Sequence, residues 1–199
     1  MMLPNRISAK LFIDNPQALQ VTAFIPVFHS WIREARVPGV PIDVANYLHV
    51  KDGPGLMLIG HAGDYAVDFR DGRAGLLYVH KRNWPGATLA DRLHTTLEGL
   101  LLGARLMENE TRFEHAVTFN TGELELTFPD RLNAPNMPET FAALQNDVRA
   151  VFGAFYGTDN LDLIHTDQDE RSLLTIAVQA PLAPPLAELQ GQLPTVALV

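Results

Sequence analysis

Apolar and polar residues alternate in short runs between residues 42 and 80, and three turn-forming sequences interrupt the alternation. The interruptions are Gly53-Pro54-Gly55, Ala62-Gly63 and Asp71-Gly72. Such sequences reverse a chain, because glycine reaches positive φ and proline fixes φ. The pattern therefore predicts four antiparallel strands that follow one another as a meander. If residues 51–55 form a loop, Leu48 and Val50 are expected on the core face, opposite Leu56 and Leu58.

Apolar residues spaced three and four apart predict three helices. The first follows Thr22 and stops at Val37-Pro38-Gly39. The third begins at Asn136-Met137-Pro138-Glu139, where we expect the asparagine to cap it, and ends at Gly157. The second has about 20 residues, starts at Thr88 with a sequence typical of a capping box, and carries the clearest apolar stripe. This stripe consists of Leu89, Leu93, Leu97, Leu100, Leu101 and Ala104.

Further strands are predicted outside the meander. Residues 7–13 alternate loosely and end at a polar turn, which indicates a first strand. Strands 113–119 and 124–128 are expected to form a hairpin around Asn120-Thr121-Gly122, and a last hairpin is expected between residues 161 and 178. This order of elements predicts the α+β class, with an antiparallel sheet built from the meander and hairpins and about three helices packed against it.

The 199 residues, 47% of them hydrophobic, are enough for one substantial core. We interpret residues 1–180 as a single α+β domain. Residues 181–199 hold four prolines and are expected to form an extended C-terminal arm, because proline interrupts both helices and strand ladders. In the order of its elements alone, the chain resembles the type III secretion chaperones, which are acidic dimers that hold segments of partner proteins. The resemblance is an analogy in element order, which no motif accompanies.

Charge and composition exclude several classes of protein. A formal charge of −8 argues against binding to nucleic acid or to an anionic membrane surface. No apolar run approaches the roughly 20 residues that cross a bilayer, and the first ten residues lack a signal-type segment, so we expect a cytoplasmic protein. The absence of cysteine excludes thiol nucleophiles, and none of the three serines lies in a G-x-S-x-G turn. No phosphate-binding glycine loop occurs, and no cofactor is predicted.

One group of polar residues in the meander could hold a metal ion. If Ala62-Gly63 is a two-residue loop, His61 pairs with Asp64, and Asp43 lies near the same end of the sheet. Two carboxylates and an imidazole suit a divalent metal or an acid/base pair. The alternative is an ordinary cross-strand polar pair at the end of a hairpin.

A second group consists of cations, Arg70, Arg73, Lys81 and Arg82, around the ends of the last meander strand. These side chains could bind a phosphate or carboxylate ligand. The alternative is that they keep turns and a sheet edge soluble. The lysines are only three, Lys10, Lys51 and Lys81, and we expect each at a solvated strand end or turn.

Two functions follow from these observations. The first is a non-enzymatic binding or adaptor protein that acts as a homodimer and holds a protein or peptide partner. Its surface would be exposed apolar residues on the second face of the sheet, which the register predicts to be Met57, Ile59, Leu77 and Val79. The alternative is a metal-assisted or acid/base enzyme with its site at the end of the meander.

Overall fold

The computed structural model describes residues 3–16, 19–51 and 53–193, and in these ranges the chain forms eight strands and four α-helices. In chain order the elements are β1 (Ile7–Ile13), α1 (Phe24–Arg33), β2 (Pro41–Asn46), β3 (Leu56–Gly60), β4 (Gly63–Asp68), β5 (Gly75–His80), α2 (Leu89–Glu108), β6 (Phe119–Phe128), α3 (Pro138–Tyr156), β7 (Asp162–His165), β8 (Leu174–Gln179) and α4 (Leu186–Gln192).

The eight strands of the described residues form one antiparallel sheet in the order β2-β3-β4-β5-β1-β6-β8-β7. Strands β2 to β5 are neighbours in chain order, which confirms the four-strand meander. Strand β1 pairs with both β5 and β6 and so joins the meander to the second half of the chain. The α+β class is confirmed, although the sheet extends well beyond the meander and the described residues contain one α-helix more than predicted.

Helices cover one face of the sheet. Helix α1 contacts β2 and β3, α2 contacts β1 and β5, and α3 contacts β7. Strand side chains alternate between faces, so Ile7, Ala9, Leu11 and Ile13 of β1 point into the core under these helices. The opposite face, here called the open face, carries Ser8, Lys10 and Phe12 of β1 and the residues that pair with them.

The apolar stripes read from the sequence lie in the core. Each of the eight residues that best fit a strand or helix stripe is at most 1% exposed, which confirms the periodicity argument. They are Leu58, Val67, Leu93, Leu97, Leu100, Leu144, Val148 and Phe152.

The register between β3 and β4 differs from the predicted one by two residues. Leu58 lies opposite Tyr65, not Val67. The two residues between the strands are His61 and Ala62, not Ala62 and Gly63, and the Asp64 carboxylate accepts a hydrogen bond from the Gly60 amide at 3.0 Å across this turn. A shift of two residues leaves each side chain on its predicted face, but it moves His61 out of the strand and into the turn.

The loop before β3 corrects the expected positions of Leu48 and Val50. Both were expected on the core face, yet they are 40% and 44% exposed. Strand β2 ends at Asn46 because the Asn46 side chain accepts a hydrogen bond from the Leu48 amide at 3.0 Å and starts a turn there.

The predicted hairpin between residues 113 and 128 is wrong. Residues 119–128 form one continuous strand, β6, in which Leu11 pairs with Leu124 but the next residue, Phe12, pairs with Asn120. Asn120-Thr121-Gly122 therefore belongs to a large β-bulge. The bulge is held by the Thr121 hydroxyl, which donates to the Pro184 carbonyl at 2.6 Å, and by the Ala180 amide, which donates to Gly122 at 2.9 Å.

Local signals at helix ends give mixed results. The capping box of α2 is confirmed, since Thr88 and Asp91 exchange backbone and side-chain hydrogen bonds. Gly157 ends α3 in the left-handed conformation at φ +65°, as predicted. Asn136 does not cap α3, because its side-chain nitrogen donates to the carbonyls of Asp167 and Asp169 in the loop before β8.

The C-terminal segment is not extended throughout, because residues 186–192 form helix α4. Pro184 and Pro185 precede the first turn of this helix, where a missing amide does no harm. Leu186 and Leu189 are buried, and α4 contacts α2 and α3. The rest of the predicted arm, residues 194–199, lies outside the described residues. No helix in the described ranges has the length and apolar character that a bilayer crossing needs.

The core assignment predicts the effect of truncating one side chain. Leu97 is 1% exposed in the centre of α2. Leu97→Ala should lower the free energy of unfolding by about 2–5 kcal/mol through lost burial and the cavity left behind. Urea denaturation measures this loss. Leu132→Ala is the control, since Leu132 is 84% exposed; equal losses for the two variants would show that the α2 stripe does not carry the core.

Candidate functional site

A buried ion pair lies near the middle of the open face. The Lys10 ammonium donates to Asp68 Oδ2 and to the Arg73 carbonyl, each at 2.7 Å. The two side chains are 3% and 0% exposed. Lys10 lies inside strand β1 and is buried, so the expectation of a solvated strand end is wrong for this lysine. The alternating apolar residues of β1 on both sides of Lys10 were the sequence signal that it lies inside a strand.

Two arginines close over this pair from the turn between β4 and β5. Arg70 Nε donates to Asp68 Oδ1 at 2.9 Å. Arg73 makes two hydrogen bonds to the Glu123 carboxylate, at 2.8 and 2.7 Å, and its guanidinium lies 3.5 Å from the centre of the Phe12 ring. The Arg73 hydrogen bonds lower the pKa of Glu123. The turn is therefore fastened to the open face by charge pairs and a cation–π contact.

Glu125 is the remaining acidic group beside the ion pair. It lies opposite Lys10 in the β1–β6 ladder. Burial raises its pKa, against the opposing effect of the Lys10 and Arg70 charges. A carboxyl group with a raised pKa next to a buried lysine can exchange a proton, but Lys10 is already bound by Asp68 and a carbonyl.

The four predicted ligand-binding cations are not brought together. Arg70 and Arg73 precede β5, whereas Lys81 and Arg82 follow it, so the two pairs lie at opposite ends of that strand. Lys81 donates to both oxygens of Asp64, at 2.7 and 2.9 Å. Three of the four cations thus hold a carboxylate of the protein itself, and anion binding by the cluster stays a prediction from sequence.

The three predicted metal ligands have separate surroundings. Asp64 is bound by Lys81 and by the Gly60 amide. Asp43 lies opposite Ile59 and accepts a hydrogen bond from the amide of Val44 at 2.8 Å. In the part of the chain that the structure describes, no three His, Cys, Asp or Glu side chains are grouped to hold a metal ion. The metal site therefore also stays a sequence prediction.

A stack of aromatic rings lies on the helix-covered face at the same end of the meander as Asp64. The Tyr65 hydroxyl donates to the Gly99 carbonyl at 2.8 Å, and the Tyr65 and Tyr78 rings lie 4.7 Å apart. The Tyr78 hydroxyl is 3.0 Å from His80 Nδ1, and the His80 ring contacts Trp84 at 4.3 Å. Burial raises the pKa of both tyrosines, so each hydroxyl stays neutral.

His80 is the buried imidazole of this stack, at 5% exposed. Burial lowers its pKa, against a smaller opposing effect from the backbone of Arg82 and Asn83. The neighbouring cavity, lined by His61, Tyr65 and Tyr78 among others, has a volume of about 10 Å³, which is the space of one water molecule. The stack therefore acts as packing between sheet and helix α2, without room for a substrate.

Exposed apolar side chains concentrate at one edge of the sheet. Nine large hydrophobic residues are exposed in the described part of the chain, and five of them lie on β2 or directly beside it. We call these five residues the edge patch; they are Val40, Ile42, Tyr47, Leu48 and Val50. Alternation alone does not indicate this patch, because it continues to residue 50 and predicts Leu48 and Val50 on the core face of a strand that in fact ends at Asn46.

The open face offers less apolar surface than predicted. Leu77 is only 7% exposed, so it cannot serve as an exposed contact residue. Met57, Ile59 and Val79 lie on this face, as the register predicted, but each is half-buried.

Comparisons with known proteins return no match: no family model, no curated protein and no solved structure is significantly similar to this chain. The resemblance to secretion chaperones is thus confined to the order of elements. Functional inference depends on the geometry alone.

The buried ion pair predicts that replacing Asp68 costs more folding stability than replacing Lys10. Asp68→Leu leaves the Lys10 charge with only a carbonyl partner and should cost about 3–5 kcal/mol of folding stability. Lys10→Met should cost less, because Asp68 keeps its bond from Arg70. The double variant should lose less than the sum of the two. Urea denaturation of all three variants measures the coupling.

The control for these three variants is an exposed ion pair. The Arg33 and Glu34 side chains are 70% and 43% exposed, so Arg33→Gln should change stability by less than about 1 kcal/mol. Additive losses for Lys10→Met and Asp68→Leu would mean that the two charges do not stabilise each other.

His80 predicts a pH dependence of stability. Because burial lowers its pKa in the folded state, the unfolded chain binds more protons, and the free energy of unfolding should fall as the pH drops through about 6.5. Burial lowers the pKa of His94 as well and adds to the same slope. His80→Gln should therefore flatten the slope in part. The measurement is urea denaturation between pH 5 and 8, roughly the range in which histidine titrates.

Substitution of an exposed histidine is the control for this experiment. His49 lies in the exposed loop after β2, so His49→Gln should keep the wild-type slope. A His80→Gln variant with the full wild-type slope would show that the imidazole is not held neutral by the fold.

Proposed function

We propose that this protein is a non-enzymatic binding protein that acts as a homodimer, with the edge patch buried between its two copies. The observation that carries the proposal is the concentration of exposed apolar side chains between residues 40 and 50. Exposed apolar residues that concentrate at one edge of a domain are typical of a protein contact.

The charged groups support the same interpretation. Lys10 is paired with Asp68, Lys81 with Asp64, and Arg73 with Glu123, so these candidates for chemistry serve internal structure. The side chains of the edge patch are not covered in this way, since they are 37% to 64% exposed. Removing this apolar surface from water would stabilise a complex, so the surface favours association over catalysis.

A second copy is the occupant that fits this surface. Homodimers with a two-fold axis are the commonest protein assemblies, and they place the same patch on both sides of the contact. Asp43 is the only formally charged residue between residues 40 and 50, so few like charges meet when the patch faces itself. The formal charge of −8 per chain opposes the approach of two copies. Salt screens the part of this repulsion that acts over more than a Debye length.

Analytical ultracentrifugation tests the proposal. The wild-type protein should sediment as a dimer, and Leu48→Lys combined with Val50→Lys should raise the dimer Kd by at least about tenfold, since each buried ammonium costs more than the roughly 1.4 kcal/mol that tenfold represents. Leu132→Lys is the matched control, because Leu132 is exposed outside the edge patch.

Two results would contradict the proposal. A wild-type protein that stays monomeric at high concentration would remove the homodimer. A dimer that the double lysine variant and the Leu132→Lys control weaken equally would place the contact away from the edge patch.

A further inference from the structure

The backbone of β2 has unpaired groups along its outer side. Strand β2 is the first strand of the sheet and pairs only with β3 among the described elements. The Tyr47 amide donates to Gly55 at 2.8 Å, which fixes the phase of the ladder. In an antiparallel pair the hydrogen-bonded residues alternate, so the backbone groups of Asp43 and Ala45 face β3, whereas the amides and carbonyls of Val44 and Asn46 face outwards.

We infer that β2 pairs antiparallel with β2 of a second copy, with Val44 on the two-fold axis, so that the two sheets continue into one sheet of sixteen strands. This inference rests on the proposed homodimer and specifies how its copies meet. Main-chain hydrogen bonds supply the direction and register of the contact, and the edge patch supplies the apolar burial.

Side-chain chemistry selects the register. The outward backbone groups of two β2 strands can meet with Asp43, Val44 or Ala45 at the axis. An axis at Asp43 sets two carboxylates directly opposite each other, which destabilises a ladder. An axis at Ala45 sets Val44 opposite Asn46, an apolar side chain against an amide.

An axis at Val44 avoids the carboxylate pair, and it sets Asn46 opposite Ile42, at the register shift of β2, instead of opposite Val44. Val44 then meets Val44 of the second copy on the helix-covered face, and Asp43 lies opposite Ala45. Val44 is half-buried and already packs against the core, so the contact extends the core across the axis. In this register the apolar side chain gains burial and the carboxylate stays at the solvated face.

Asp43 controls access to this edge. Its carboxylate now accepts the Val44 amide at 2.8 Å, and this amide is one of the outward donors. Together with Pro41 and the register shift between Pro41 and Asp43, the contact blunts the strand against indiscriminate pairing. In the dimer the Val44 amide donates to the second copy, and the exposed Asp43 carboxylate returns to water.

The other edge of the described sheet provides a comparison. Strand β7 has four residues, against six in β2, and offers a shorter ladder. Its Ile164 is 45% exposed, so it matches the edge patch in exposure without the flanking apolar loop. It is the natural position for a control variant.

Cysteine scanning tests the register without background, because the chain contains no cysteine. Asp43→Cys, Val44→Cys, Ala45→Cys and Ile164→Cys are oxidised with oxidised glutathione, and the covalent dimer is followed on non-reducing gels. Each variant is first checked for a wild-type circular dichroism spectrum and melting temperature.

Val44→Cys should cross-link at least about tenfold faster than the other variants, because directly opposite residues lie about 5.5 Å apart, within disulfide range. In the same register, the two introduced thiols of Asp43→Cys, or of Ala45→Cys, would lie on a diagonal of about 7–8 Å, which exceeds that range. Asp43→Ala gives a second readout: it frees the Val44 amide and should lower the dimer Kd.

Each outcome separates the two proposals. Fastest cross-linking by Asp43→Cys or Ala45→Cys overturns the Val44 register. A wild-type dimer in which no β2 cysteine variant cross-links faster than Ile164→Cys, or in which Asp43→Ala leaves the Kd unchanged or higher, overturns strand pairing but keeps the homodimer. A monomeric wild-type protein overturns both.

Discussion

Strand β1 occupies a position on which the rest of the sheet depends. Its seven residues are all buried, because it lies between β5 and β6 and is covered by helices on one face. The alternation that sends four apolar side chains into the core also sends Lys10 to the centre of the open face. A buried ammonium costs several kcal/mol unless it is paired, so this position requires Asp68 and shapes the turn that follows it. Arg70, Arg73 and Glu123 complete the neutralisation and hold that turn against the sheet.

The elements that the sequence predicted well are those with local causes. The capping box at Thr88 and the left-handed glycine at 157 depend on neighbours within one turn of helix, and both are present. The hairpin around residues 120–122 failed because Asn-Thr-Gly suits a bulge as well as a turn, and only the pairing with β1 decides between them. The helix at 186–192 was missed because prolines were counted without regard to their place before its first turn.

The candidate sites were harder to predict because their partners are distant in the chain. Lys10 and Asp68 lie 58 positions apart, and no periodicity connects them. A two-residue difference in register was enough to turn the expected pair of His61 and Asp64 into a turn residue and a partner of Lys81. What alternation did predict was the face of the sheet on which the side chains of β3, β4 and β5 lie. Contacts between strands depend on the register itself. Alternation does not fix the register, because a shift by two residues keeps every side chain on the same face.

The two edges of the sheet and its centre differ in how they deal with polar groups. At the centre, charges are buried and paired, which makes the open face rigid and leaves little exposed apolar area. At β2, apolar side chains are exposed and the outward backbone is only partly covered, by one carboxylate. This contrast is the reason that we propose association at the edge over chemistry at the centre, through a strand in which one carboxylate holds an outward amide.

The pairing of β1 also has a consequence for synthesis of the chain on the ribosome. Strand β1 emerges before the other strands of the described sheet, yet Ile13 pairs with Phe119, so its second neighbour is made only after the meander and α2. Until then a strand rich in apolar residues has one unpaired side in the nascent protein. The bulge in β6 delays completion further, since Thr121 bonds Pro184, 63 positions later in the chain. Such long-range closure makes folding slow and exposes the early half to the chaperones that guard nascent chains.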